Sequence, residues 1–134
     1  MNPLSLLPSA PRVLVAEDQP AMRALLARTL RGAGYEVTEV GDGDALWREV
    51  GREDEPDLVV SDIHMPGLSG LEVLARLRES DWMMPVILIS AFADIATLLD
   101  ANRLGVSRVL TKPFEMSDLV RTAKRLVDPA PTPD

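Results

Sequence analysis

The chain of 134 residues contains no cysteine and only one histidine, His64. The lack of cysteine excludes disulfide frameworks, thiolate zinc sites and cysteine nucleophiles together. A single histidine also rules out a histidine-rich metal centre. Thiol chemistry and imidazole clusters are therefore excluded from the candidate functions of this sequence.

The sequence also lacks long apolar runs and an excess of basic residues. No apolar run approaches the ~20 residues needed to span a bilayer. Residues 1–11 have neither a basic segment nor a long apolar core, so we expect no signal peptide. The net charge of −7 does not suggest the basic face that nucleic-acid binding requires. We expect a cytoplasmic protein whose chain binds neither nucleic acid nor membrane.

The composition is that of an ordinary globular protein, with 46% hydrophobic and 26% charged residues. The length predicts one domain with a normal core. Prolines mark both ends, which predicts a flexible lead-in over residues 1–11 and a tail or linker over residues 128–134. The predicted domain therefore covers residues 12–127. Its acidity is explained by solubility, with a cation-binding cluster of acids as the alternative.

Short apolar runs alternate with helical periodicity along this domain. The strands are predicted at residues 13–16, 35–40, 57–62, 85–89 and 108–111, and a helix follows each of them. Strand 35–40 is the more polar one and is expected near an edge. Ser69 and Glu72 have the spacing of a capping box that opens a helix. Strict alternation predicts an α/β fold with a doubly wound parallel sheet.

Four of the five predicted strands end in polar residues, namely Glu17-Asp18, Asp62, Ser90 and Lys112. Each residue alone has an ordinary explanation as a helix-terminal charge, a turn hydroxyl or a surface lysine. In a parallel sheet, however, all carboxyl ends meet at one edge, where open α/β sheets bind ligands. Three carboxylates there repel one another, and a hard cation such as Mg²⁺ offsets that repulsion.

The motifs at these strand ends resemble those of receiver domains from bacterial two-component response regulators. The matching segments are Val-Ala-Glu17-Asp18, Val-Val-Ser-Asp62-Ile-His-Met-Pro-Gly, Ile-Leu-Ile-Ser90-Ala and Leu-Thr-Lys112-Pro-Phe. The resemblance covers roughly residues 12–127. It implies a flavodoxin-like sheet of order 2-1-3-4-5, an order for which a chemotaxis receiver is a standard example.

The resemblance implies that Asp62 accepts a phosphoryl group from a phosphohistidine of a sensor histidine kinase or a histidine phosphotransfer protein. Glu17 and Asp18 would hold Mg²⁺ or Mn²⁺, with Asp62 and the backbone carbonyl of His64 as further ligands. Ser90 and Lys112 would then contact the phosphoryl group and carry the conformational switch. Such a protein is no enzyme beyond transfer to its own aspartate and autodephosphorylation, and phosphorylation could produce a homodimer. The Lys112–Pro113 bond is a candidate cis peptide.

Three positions depart from the usual receiver pattern or vary within it. Val109 stands where receivers often place an aromatic residue, so the swinging ring of the usual switch is missing and the valine is expected to pack the strand. The signal would then leave through Ser90 and the helix predicted over residues 93–104. His64 and Phe92 flank the expected route of the hydrolytic water, where they would either alter the phosphoryl lifetime or only line the edge of the sheet.

Other functions remain alternatives at this point. The chain could be the receiver module of a larger hybrid kinase or regulator, or a degenerate receiver that only docks. The full set of five polar residues argues against the degenerate receiver. A small phosphohydrolase with Asp62 as nucleophile usually needs a second aspartate two residues on, and that position is His64.

Overall fold

The computed structural model describes residues 10–52, 55–92 and 94–128. The strands are β1 (Arg12–Ala16), β2 (Glu36–Val40), β3 (Leu58–Asp62), β4 (Val86–Ser90) and β5 (Arg108–Thr111). The helices are α1 (Pro20–Gly32), α2 (Gly43–Val50), α3 (Gly70–Glu79), α4 (Ile95–Arg103) and α5 (Met116–Leu126). The strands form one parallel sheet in the order β2-β1-β3-β4-β5. The predicted α/β fold, its strand order and the edge position of β2 are confirmed.

The two faces of the sheet follow the period of two that β-strands impose on their side chains. On β1, Val13 and Val15 belong to the core that α1 and α5 cover. Leu14 and Ala16 point to the opposite core, to which α2, α3 and α4 contribute. Because both faces are covered, β3 and β4 are buried along their whole length.

Local sequence signals explain where most helices begin. Pro20 lies in the first turn of α1. The side chains of Asp42 and Asp94 each accept a backbone hydrogen bond, from Ala45 and Thr97 respectively, at 2.7 Å. The predicted capping box of Ser69 and Glu72 is present in both directions at the start of α3. These caps fix the residue at which each of these helices begins.

The observed boundaries differ slightly from the predicted ones. Helix α4 covers Ile95–Arg103 instead of residues 93–104, because the Asp94 cap fixes its start. Tyr35 precedes β2 instead of opening it, and its side chain is buried in the core. Most of the predicted lead-in and tail lies outside the described residues. Among the described helices, none is long and apolar enough to cross a bilayer.

Candidate functional site at the carboxyl edge of the sheet

The carboxyl ends of four strands deliver the predicted polar residues to one place. Glu17 follows β1, Asp62 ends β3, Ser90 ends β4 and Lys112 follows β5. The registers of the parallel pairs place Asp62 beside Ile89, and Ser90 beside Thr111. The topology therefore assembles residues that lie up to 95 positions apart in the chain.

Lys112 bridges the two buried carboxylates of this site. Its Nζ donates to Asp62 Oδ2 at 2.9 Å and to Glu17 Oε1 at 3.3 Å. The side chains of Glu17 and Asp62 are 0% and 7% exposed, whereas that of Lys112 is 27% exposed. The two carboxylates are therefore almost fully buried, and the ammonium group that joins them is partly exposed to solvent.

Asp62 is held in place by its backbone surroundings as well as by Lys112. Its Oδ1 accepts a hydrogen bond from the His64 backbone N–H at 2.9 Å. The start of α3 approaches the Asp62 carbonyl so closely that a Cβ added at Gly70 would lie 2.4 Å from that oxygen. Glycine is therefore required at position 70 for α3 to start this close to the end of β3.

Burial makes the ionised form of Glu17 unfavourable. Burial and the neighbouring charge of Asp62 raise its pKa to about 7, and the charge of Lys112 offsets only part of that rise. Hydrogen bonding with the side chain of Asp18, the next residue in the chain, contributes in the same direction. The acidic site is therefore short of positive charge near neutral pH.

The two carboxylates also affect the pKa of Lys112. Burial alone lowers that pKa, but the hydrogen bonds and charges of Asp62 and Glu17 outweigh burial and raise it overall. Lys112 therefore stays protonated at neutral pH. Its backbone N–H donates to the Ser90 carbonyl at 2.8 Å, which ties the lysine to the end of β4. The Lys112–Pro113 peptide bond is cis, as predicted.

Ser90 is fully buried and bonded within its own turn. Its Oγ donates to the Phe92 carbonyl at 2.5 Å and accepts from the Phe92 backbone N–H at 3.1 Å. The hydroxyl is thus engaged with the connection from β4 to α4. Ser90 lies at the predicted strand end, but its hydrogen bonds hold the start of the α4 connection.

The donor set of the site suits a hard divalent cation. All candidate side-chain ligands are carboxylates, and Mg²⁺ prefers oxygen donors, of which the protein usually supplies one or two carboxylates. No group of three or more His, Asp or Glu side chains is close enough to hold an ion unaided in the part of the chain described above. The carboxylates of Glu17, Asp18 and Asp62 are nevertheless oxygen donors of the kind that Mg²⁺ takes, with waters in its remaining positions.

His64 and Phe92 follow the ends of β3 and β4, whereas Val109 lies within β5. The rings of His64 and Phe92 meet edge to face with centroids 6.3 Å apart, and Phe92 is 71% exposed. Val109 packs against the core below α2, α3 and α4, as expected for a strand residue without an aromatic role.

One side chain at the site had no distinguishing signal in the sequence. The Nη1 of Arg23 donates to the Glu17 backbone carbonyl at 2.9 Å. Arg23 is one of several arginines on α1, and helical periodicity does not indicate which of them turns back toward the preceding strand.

The chain matches the response regulator receiver domain over residues 13–124. It belongs to that family. The receiver family comprises phosphoacceptor modules of two-component systems, which are not classical enzymes and bind Mg²⁺ at the phosphorylation site. The predicted family is therefore confirmed.

Two transcriptional regulatory proteins and one solved response regulator structure are similar to this chain. The transcriptional regulatory protein TcrA of Mycobacterium tuberculosis is 38% identical over 125 residues, or 93% of this chain and 49% of TcrA. The C4-dicarboxylate transport transcriptional regulatory protein DctD of Pseudomonas aeruginosa is 36% identical over 96% of this chain and 28% of DctD. The chain thus spans between about a quarter and a half of the length of these relatives.

The structure of the response regulator TrrA from Thermotoga maritima, in complex with Mg²⁺–BeF, is similar to this receiver with a TM-score of 0.78 and 31% identity. The similarity covers 87% of this chain and 99% of that one.

Proposed function

We propose that this receiver accepts a phosphoryl group from a histidine kinase or a histidine phosphotransfer protein onto Asp62. The observation that supports this most strongly is the bridge of Lys112 between Asp62 and Glu17. It sets one ammonium group beside a carboxylate oxygen at the end of a buried strand. Phosphoryl transfer needs positioning and charge neutralisation more than it needs covalent help from the protein.

In the proposed step, a carboxylate oxygen of Asp62 attacks the phosphorus in line with the leaving group. The phosphorus–nitrogen bond of the donor phosphohistidine breaks, and the imidazole nitrogen keeps the electron pair. Asp62 ends as an acyl phosphate. Lys112 pairs with the phosphoryl oxygens as their negative charge arrives, because its Nζ already lies 2.9 Å from Asp62 Oδ2.

We further propose that Glu17, Asp18, Asp62 and the backbone carbonyl of His64 hold the Mg²⁺ of the family. When bound, the ion would supply positive charge that offsets the negative charge of the phosphoryl oxygens. The burial of Glu17 and its raised pKa of about 7 support this assignment, because two packed carboxylates have only one lysine between them. An ion with its own waters offsets that repulsion.

Ser90 is the proposed start of the outgoing signal. To reach a phosphoryl oxygen, its hydroxyl must give up the hydrogen bond to the Phe92 carbonyl. That exchange releases the connection into α4, so phosphorylation is expected to displace the backbone of residues 90–106. With Val109 in place of an aromatic ring, this route does not depend on a rotating side chain in β5.

The direct test is Mg²⁺-dependent phosphorylation of the full chain by acetyl phosphate, measured by intact mass. Wild type should gain one phosphoryl group, and Asp62→Asn should gain none. Asp81→Asn is the matched control, since Asp81 is exposed and its positive φ of 61° is readily adopted by asparagine. Failure of the wild type to take up phosphate, or equal uptake by Asp62→Asn, would contradict the proposal.

The edge-to-face pair of His64 and Phe92 is proposed to set the lifetime of the acyl phosphate. Both rings lie next to the backbone groups that hold Asp62 and Ser90. His64→Ala is expected to change the rate of phosphate loss without preventing uptake. An unaltered decay rate in this variant would refute the role of the pair.

The receiver domain is proposed to extend over residues 12–127, slightly beyond the matched range of 13–124. Residues 1–11 would then be a lead-in, and residues 128–134 a tail or linker. Limited proteolysis should leave a folded fragment with these approximate ends.

A further inference from the structure

We propose that Arg23 is a positioning residue that holds the acidic turn of residues 17–19 in the geometry needed to bind the metal ion. The inference rests on the proposed metal-dependent function. It concerns a residue that touches the backbone of the acidic turn instead of the ion or the phosphoryl group. Arg23 therefore acts through Glu17 and Asp18.

Arg23 ties the first turn of α1 back to the end of β1. Its Nη1 donates to the Glu17 carbonyl at 2.9 Å, and its backbone N–H donates to the Gln19 carbonyl at 2.9 Å. Gln19, at the cap position, makes no side-chain cap hydrogen bond, and the first turn contains no acidic residue. The backbone bond is the ordinary first hydrogen bond of the helix, so the contact specific to Arg23 is the one from its side chain to the Glu17 carbonyl.

The space for the guanidinium is left by a glycine on another loop. A Cβ added at Gly41 would lie 3.0 Å from Arg23 Nη1 and 3.9 Å from its Cζ. Gly41 directly follows β2, whose last residue, Val40, accepts a hydrogen bond from the Glu17 backbone N–H at 3.1 Å. Arg23 therefore fills the corner between the acidic turn and the end of β2.

The contact matters because the Glu17 carbonyl belongs to the peptide that links Glu17 to Asp18. Movement of this peptide reorients both carboxylates at once. Loss of an outer partner that orients metal ligands typically weakens metal binding by about 10–100-fold. The same type of loss is expected when the tie from Arg23 is removed.

The charge of Arg23 and its hydrogen bond to Glu17 predict opposite effects of its removal on the Kd for Mg²⁺. Arg23 is a cation near a proposed cation site, so removal of its charge alone would strengthen Mg²⁺ binding. Loss of its grip on the Glu17 carbonyl would weaken Mg²⁺ binding. A purely structural role at the start of α1 would lower the melting temperature without changing the Kd for Mg²⁺.

The test is a Mg²⁺ titration of the full chain, followed by amide NMR shifts, with the melting temperature measured in parallel. The variants are Arg23→Met, Gly41→Ala and Arg28→Met. Gly41→Ala keeps the charge of Arg23 and requires its guanidinium to shift by a few tenths of an ångström. Arg28→Met is the matched control, because it removes the same charge from an exposed position of the same helix.

We expect Arg23→Met to raise the Kd for Mg²⁺ about 10-fold, Gly41→Ala to raise it in the same direction, and Arg28→Met to leave it close to wild type. An unchanged or lower Kd in Arg23→Met would overturn the inference while leaving the proposed function intact. A wild-type chain that binds no Mg²⁺ would overturn both. If Arg23→Met does not fold, Gly41→Ala decides by the same criterion.

Discussion

Helices α1 and α4 both begin a few residues after the strand ends that carry Glu17 and Ser90, yet they are attached to the domain very differently. Helix α1 buries Leu26, Ala27 and Leu30 in the core. Helix α4 buries only Ala101. One helix therefore belongs to the core, while the other is held mainly at its ends.

The apolar residues of α4 show the difference most clearly. Ile95, Leu98 and Leu99 are 76%, 37% and 58% exposed. Full burial of such a side chain contributes about 1.5–3 kcal/mol, and α4 gains little of that. Local opening has the lowest free energy where few apolar contacts resist it.

This difference in packing suits the proposed function. In that proposal the acidic turn, α1 and β3 hold the carboxylates that receive the phosphoryl group, and Ser90 and α4 form the side that moves. The two sides should then respond differently to loss of their contacts.

Truncation of a core leucine on α1 should have the largest effect. Leu26→Ala is expected to lower the free energy of unfolding by about 2–5 kcal/mol, because it leaves a cavity between α1 and the sheet. Leu99→Ala on α4 should change it by about 0.5 kcal/mol or less. Urea denaturation of the two variants beside wild type measures both values. Equal losses in the two variants would remove the contrast between the helices.

The carboxyl end of α4 is held by Arg78 of α3, in contrast to its exposed start. The guanidinium of Arg78 donates to four backbone carbonyls, those of Leu104, Gly105, Trp82 and Met84, at distances of 2.6 to 3.2 Å. Burial lowers the pKa of Arg78. Arg78 therefore joins the end of α4 to the loop that leads into β4.

Removal of the hydrogen bonds from Arg78 should make local opening easier along the whole of α4. Arg78→Met is expected to cost about 1.5–3 kcal/mol, since hydrogen bonds from a charged group are lost, and to speed amide hydrogen exchange in α4. Arg103→Met is the control, because Arg103 forms an exposed pair with Asp100 at 3.7 Å, a contact of little expected stability. Equal exchange in α4 of the two variants would show that Arg78 is no anchor.

Tyr35 provides a test with a smaller expected effect, in the core that α1 and α5 cover. Its hydroxyl donates to the Val127 carbonyl at 2.5 Å and joins the start of β2 to the end of α5. Tyr35→Phe is expected to cost about 0.5–1.5 kcal/mol at neutral pH, which thermal or urea unfolding would detect. No change at all would show that water replaces this hydrogen bond without cost.

Tyr35 also predicts a dependence of stability on alkaline pH. Burial, and to a lesser extent the charge of Asp128, raises the pKa of Tyr35 to about 12 in the folded protein. Because the folded pKa lies above the ordinary value of 10.0, the contribution is complete below that value and is lost as pH rises toward 12. Wild type should therefore lose more stability than Tyr35→Phe over this range. Parallel losses would contradict the shift.

Much of the fold could be predicted from the sequence because its signals are local. The apolar run before Asp62 predicts a buried strand, and Ser69 with Glu72 predicts the start of α3; both are observed. The exposure of α4 was not predictable in this way. Leu98 and Leu99 have the apolar character of core residues, and only the position of α4 over the sheet decides that they face outward.

In the site, too, some features could be predicted from local sequence signals and others depend on long-range contacts. The strand-end positions of Glu17, Asp62, Ser90 and Lys112 follow from the pattern of the chain. The ties formed by Arg23 and Arg78 do not, because an arginine can reach many backbone carbonyls and periodicity does not select one. The engagement of the Ser90 hydroxyl with Phe92 depends likewise on the turn that follows β4.

The most direct test of a signal that leaves through Ser90 and α4 is the amide NMR spectrum of the full chain with Mg²⁺ and beryllofluoride, a phosphoryl mimic. Asp62→Asn serves as the control that cannot bind the mimic productively. We expect large shifts in residues 90–106, together with the residues that surround Asp62, and small shifts in the buried half of α1. Unchanged amides in residues 90–106, with clear shifts around Asp62, would contradict this route.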